Sequence, residues 1–104
     1  MNPEELYQRI KSTLVALYGE RLKGVVLYGS MARGNATADS DVDFMVLLKG
    51  PVRYGVELDR LLEALYPIEK ESGMALSPVP VDAEDFRAGR FALFRHAARE
   101  GIAL

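Results

Sequence analysis

Cysteine is absent from the 104-residue chain, which excludes disulfides, thiolate catalysis and zinc sites built on sulfur, and agrees with a reducing cytoplasm. With one histidine, His96, any metal must use oxygen ligands or that single ring. No apolar run approaches the about eighteen residues needed to span a bilayer. The start, Met1-Asn2-Pro3-Glu4-Glu5, lacks a basic segment followed by an apolar one. These absences give the expectation of a soluble cytoplasmic protein without a membrane partner. A net charge of -2 leaves no global basic footprint, and the basic residues Lys11, Arg21, Arg53, Arg60 and Arg87 are scattered, so direct nucleic-acid binding through charge is not expected.

What is present is an ordinary folded composition, 49% apolar and 27% charged with 9 Gly and 5 Pro. The length fits a single domain, residues 1–104, with one core and no room for a separate substrate domain. Asn2-Pro3-Glu4-Glu5 is a helix start, with a capping residue, an early proline and acids at the positive end of the dipole. Leu6, Ile10, Leu14 and Leu17 then recur at helical spacing up to Tyr18-Gly19. Leu22 to Tyr28 and Asp41 to Leu48 read as strands, separated by only twelve residues. Leu58, Leu61, Leu62 and Leu65 predict a helix from about Tyr54, which Pro67 either stops or kinks on its way to Ser72-Gly73. Ala75 to Val81 reads as a third strand, at an edge or short, because Pro78 and Pro80 cannot donate to a ladder. Asp82-Ala83-Glu84-Asp85 opens a last helix, with Phe86, Leu93, Phe94 and Ala97 on one face, that stops at Gly101. The order α-β-β-α-β-α, with no repeat and no linker, predicts a small α/β (α+β) domain with a mixed sheet flanked by helices.

Asp41 and Asp43 lie two apart in a strand, so their side chains leave the same face, roughly 6 to 7 Å apart at the backbone. Two acids that close repel, and a bound cation relieves the repulsion. With oxygen donors only, Mg²⁺ is the natural ion, since it takes one or two carboxylates and completes its shell with phosphate oxygens and water. The plainer alternative is a solvated strand end with Asp41 capping a turn. Gly29-Ser30 follows a strand directly and precedes Met31-Ala32-Arg33, which starts a helix. Glycine lets a phosphate approach the backbone, and the helix start and the serine hydroxyl offer donors. Alone, the dipeptide also fits a helix cap after a glycine turn.

The two halves joined read Gly29-Ser30, ten residues, Asp41-Val42-Asp43. In this the chain resembles the nucleotidyltransferases of the DNA polymerase beta superfamily, with their G-S-x10-D-x-D signature. Gly29-Ser30-Met31-Ala32-Arg33-Gly34 and Ser40-Asp41-Val42-Asp43 are similar to the family's usual wording. The length, the element order and the ending Ala98-Arg99-Glu100-Gly101-Ile102 resemble its small MNT subgroup. The resemblance implies that Gly29 and Ser30 hold phosphates of ATP, with Arg33 and Ser40 beside them, and that Asp41 and Asp43 bind Mg²⁺ as the catalytic pair. An acceptor hydroxyl would attack the α-phosphorus and pyrophosphate would leave. Family members usually add a third carboxylate from the next strand. Here Ser77 falls in that slot, and Asp82 is the nearest acid. His96 reads as a surface residue beside Arg95 and Arg99, whereas Phe86, Phe91, Phe94 and Tyr28 read as core.

Two functions follow. MNT proteins resemble the antitoxin half of gene pairs whose other half is a helical HEPN protein, which implies AMP transfer to that partner. The missing third acid favours instead a binding module that neutralises its partner by contact and keeps the nucleotide site as a sensor or relic. Transfer to a small molecule such as an aminoglycoside lacks an acceptor domain, and a homodimer would have to supply that wall.

Overall fold

Asn2 caps the first helix as its side chain predicts. In the computed structural model, which describes residues 1–34 and 41–104, its Oδ1 accepts the Glu5 amide at 2.8 Å and its Nδ2 donates to the Glu5 carboxylate at 2.8 Å. Helix α1, Pro3–Tyr18, buries Leu6, Ile10 and Leu14. The next step of four reaches Tyr18, which packs on the same core. Leu17, expected on that stripe, is left exposed, because the buried row advances by four residues and not by three.

A 3-10 turn at Gly19–Arg21 leads into β1, Leu22–Tyr28. A single helical turn, α2 (Ser30–Arg33), follows, and β2 runs over Val42–Leu48. Ser40 lies outside the described residues. Helix α3, Tyr54–Ser72, carries the chain across to β3, Leu76–Asp82, which therefore lies parallel to β2. β1 is antiparallel to β2, and a short β4, Ile102–Ala103, is antiparallel to β1. The sheet order is β3-β2-β1-β4, so the sheet is mixed and flanked by helices, as predicted. One face, with Val25, Leu27, Val42, Phe44, Val46 and Leu48, is buried together with residues of α1 and α3.

Helix α3 does not stop at Pro67. Leu65 and Ile68 are buried on either side of it, and this apolar burial, about 1.5 to 3 kcal/mol per side chain, holds the helix through the exposed proline. Leu62, expected in the stripe, is exposed, and Glu57 takes the first buried turn instead. Only 3% exposed, Glu57 accepts from Arg21 Nη1 at 2.5 Å, from the Tyr18 hydroxyl at 3.1 Å and from Arg60 Nη1 at 3.4 Å. Burial alone would push its carboxyl up, but the bonds from Arg21 and Tyr18 and the charges of Arg21 and Arg60 hold it below the usual range. The Tyr18 phenol is correspondingly pushed up to about 12, first by burial and then by the Glu57 charge and bond.

β3 forms an edge, and its prolines explain why. Pro78 and Pro80 have no N–H, so the ladder to β2 must run through the alternate residues, and the amides of positions 76, 78 and 80 face outward. Leu76 spends its amide on Glu69 Oε2 at 2.8 Å, which leaves that stretch of the edge without a free donor.

The single last helix predicted from Asp82 is two helices. Asp82 Oδ1 accepts the amides of Glu84 at 2.8 Å and Asp85 at 3.3 Å, capping α4, Ala83–Arg87. Gly89, at φ 63°, breaks the run, and α5 resumes at Ala92–Glu100. Phe86, Phe94 and Ala97 keep their predicted place, packed with Val26, Met45, Leu47 and Val81 on the second face of the sheet. The break changes the helical phase, so Leu93 and Phe91 are exposed, and Phe91 meets Phe94 edge-on at 5.2 Å instead of joining the core. Beyond the predicted stop at Gly101 the chain adds β4. A Cβ at Gly101 would lie 2.5 Å from Val26 Cγ1, so only glycine lets the tail come this close to β1. Among the described residues no helix is long and apolar enough to cross a membrane.

Candidate functional site

Side chains alternate across a strand, so residues paired in register share a face. Tyr28 of β1 pairs with Asp43 of β2, which pairs with Ser77 of β3. These three form a row across the sheet, at the end of the face that α4 and α5 cover. Asp43 is half-buried at the start of β2, and Asp41 stands exposed just ahead of the strand.

The Gly29 turn lies directly on the Asp43 carboxylate. Gly29 has φ 76° and ψ -154°, a backbone state that other residues rarely adopt. A Cβ there would sit 2.7 Å from Asp43 Oδ2. The contact brings the predicted phosphate turn and the predicted acidic pair to one place. Ser30 opens α2 and Arg33 closes it, with the Arg33 amide bonded to the Gly29 carbonyl at 3.1 Å. Because α2 is only four residues long, its macrodipole is small, and the donors offered there are individual N–H groups and the serine hydroxyl.

Electrostatics agree with this convergence. Burial pushes the Asp43 carboxyl above its usual range, the neighbouring charge of Asp41 pushes it further, and Arg33 pulls it partly back. The Tyr28 phenol is raised by burial and then by the charge of Asp43 and by Tyr54. Two oxygen donors that repel one another, partly out of water, are a donor set suited to a hard divalent cation. Among the described residues no group of three or more His, Asp or Glu side chains gathers in a metal-holding arrangement.

The structure separates the rest. Ser77 stands in register beside Asp43, in the slot that the family resemblance gives it. Asp82 does not substitute: it pairs with Leu48 at the other end of β3, about 16 Å away at 3.3 Å per residue. His96 faces Glu100, with 3.0 Å between Nε2 and the carboxylate, on the exposed surface of α5. The sequence places Tyr28 in the core. It does pack against the second apolar cluster, but it also shares the row with Asp43, and its position directly before Gly29-Ser30 was the available signal.

Comparison with known proteins gives the chain a family. The model of the nucleotidyltransferase domain matches residues 8–88. Two chains of Methanocaldococcus jannaschii, provisionally named protein adenylyltransferases, are similar to this one. The first is 29% identical over 76 residues, 62% of this chain and 76% of its own. The second is 33% identical over 87 residues, 79% of this chain and 54% of its own, so this chain spans about half its length. Among solved structures, one provisionally named a minimal nucleotidyltransferase is 29% identical with a TM-score of 0.63, covering 100% of this chain and 97% of that one. A toxin-antitoxin structure with AMP-PNP shares the fold, with a TM-score of 0.66 at 18% identity over 92% of this chain and 69% of that one. With 81 of its 104 residues inside the family model, Gly29, Asp41 and Asp43 among them, this chain belongs to the nucleotidyltransferase domain family and is a nucleotidyltransferase.

Proposed function

We propose that the chain transfers AMP from ATP to a hydroxyl on a protein partner, with Gly29 and Ser30 holding phosphates and Asp41 and Asp43 holding Mg²⁺. One observation carries this reading: the contact of Gly29 with the Asp43 carboxylate. A phosphate seated on that backbone lies beside the acidic pair, and a cation between them offsets both charges. Mg²⁺, when bound there, stabilises charge on the attacking and leaving oxygens. The chain's own groups do the rest. The Gly29 backbone gives close access, the Ser30 hydroxyl and nearby amides donate to phosphate oxygens, and Arg33 offsets their charge. Ser40 joins the nucleotide site on the strength of its place in the signature.

The partner we infer is a HEPN-type toxin, with this chain as its antitoxin in the cytoplasm. The sequence resemblance to the MNT subgroup supports this, as does the shared fold with a toxin-antitoxin structure that holds AMP-PNP. A second reading rests on Ser77: with a neutral side chain beside Asp43, the chain would be a weak or inactive nucleotide binder that silences its partner by complex formation. Mass spectrometry separates the two. The protein is incubated with ATP, Mg²⁺ and the neighbouring gene product, beside Asp41→Asn/Asp43→Asn. A metal-dependent gain of AMP on the partner, lost in the double variant, is expected; a stable complex with no gain would leave the binding module.

A further inference from the structure

Ser77 fills a position that the chemistry of the site would use for a proton acceptor. It lies on the strand next to Asp43, in register and on the same face, about 5 Å away at the backbone. A serine hydroxyl cannot take a proton at neutral pH, since a working base needs a pKa near the operating pH. The other described acids near β2 and β3 are engaged or remote. Asp41 and Asp43 serve the metal in the reading above, Glu69 accepts the Leu76 amide, Glu57 is held by Arg21 and Tyr18, and Asp82 caps α4 at the far end of the sheet. Ser77 is also only half-buried, and its side chain is shorter than an acid at the same place.

Resting on the reading of Asp41 and Asp43 as the metal pair, we propose that the acceptor molecule carries the base: the substrate class is a protein hydroxyl with a carboxylate of its own beside it. The acceptor oxygen bonds to the α-phosphorus, the bond from that phosphorus to the bridging oxygen breaks, pyrophosphate leaves with the electron pair, and the proton passes to the acceptor's carboxylate. Water entering the site alone meets no unengaged base among the described residues. Ser77 therefore protects ATP from hydrolysis to AMP while the partner is absent.

The first test needs no identified acceptor. The protein is incubated with ATP and Mn²⁺ alone, and AMP release is compared for wild type, Ser77→Asp, Ser77→Glu and the neutral control Ser77→Asn. Manganese bound in the presence of a non-hydrolysable α,β-methylene ATP is counted by electron paramagnetic resonance. Expected are one Mn²⁺ and slow AMP release in wild type and Ser77→Asn. An acid at position 77 should add a second Mn²⁺ and raise AMP release by about a hundredfold, the lower range of what a placed base contributes. Wild type that binds one Mn²⁺ yet releases AMP as fast as both acidic variants sinks this proposal alone. Loss of partner modification in Asp39→Asn, a residue outside the described ones, with Mn²⁺ binding intact, would place the base in this chain and also overturn it. Wild type that binds no Mn²⁺ with the analogue removes the metal-site reading, and this proposal falls with it.

Discussion

Glu57 and Asp43 are both partly withdrawn from water, yet their surroundings treat the negative charge in opposite ways. Around Glu57 stand two arginines and a phenol, every contact favours the carboxylate, and its pKa is held down. Around Asp43 stand burial and a second acid, only Arg33 opposes them, and its pKa is pushed up. The first arrangement ties the α1–β1 corner to α3 and is complete without anything added. The second leaves the charge of Asp43 largely unopposed, which is the kind of environment that functional carboxylates are given.

The largest effect expected from breaking this contrast is at Glu57. Glu57→Ala leaves Arg21 only its two bonds to the carbonyls of Lys49 and Pro51 and empties a buried site, and should cost about 3 kcal/mol, the lower end for a broken buried pair because Arg21 is partly exposed. Urea unfolding measures it, while AMP transfer per folded molecule should stay near wild type. A loss of transfer without a loss of stability would contradict the assignment of Glu57 to structure.

Asp43→Asn should do the reverse. Transfer should fall by about a hundredfold or more, the scale of removing one preorganised electrostatic group, while the metal-free fold becomes more stable. The sign follows from linkage. A carboxyl whose folded pKa is raised binds protons more tightly in the folded state, so its contribution to stability declines as pH rises above the unfolded value of 3.8. Glu57, with its folded pKa lowered from 4.5, contributes stability that is present above that value and lost as pH falls below it. In wild type the two trends partly cancel in acid. Removing Asp43 should therefore steepen the drop in urea midpoint between neutral pH and pH 3, and an unchanged slope would argue against the raised pKa.

The smallest effect is at the turn that joins the two halves. Gly29→Ala places a Cβ against Asp43 Oδ2 and forces a backbone state that only glycine adopts readily, which costs about 1 to 3 kcal/mol. Nucleotide affinity should fall with it, and calorimetry with an ATP analogue reads that directly. Full affinity at wild-type stability would show that the turn has room to move away.

Much of this was legible from the residues, for reasons that also explain what was not. The strands were bounded by glycine and proline, and G-S-x10-D-x-D has a spacing that two adjacent strands convert into contact. Ser77 could be aligned because β3 runs in register with β2. Phase was harder to read. Leu17 and Leu62 match a helical stripe but fall on solvent because Tyr18 and Glu57 occupy the inward positions. A buried glutamate in an apolar stripe looks like a surface residue until Arg21, 36 positions away in sequence, is brought to it. The split of the last helix depended on one glycine in an otherwise helical run, and β4 depended on a tail too short to show alternation.

The two prolines of β3 and the engaged amide of Leu76 have a consequence for how this protein behaves in a crowded solution. An open sheet edge is ordinarily a template on which another chain can add a strand, the first step towards aggregation. This edge offers no hydrogen to such a strand over positions 76 to 80, so growth of the sheet from that side is disfavoured. A strand meeting the molecule there could bond only to its carbonyls, half of an ordinary ladder, so side chains must supply the rest of the match.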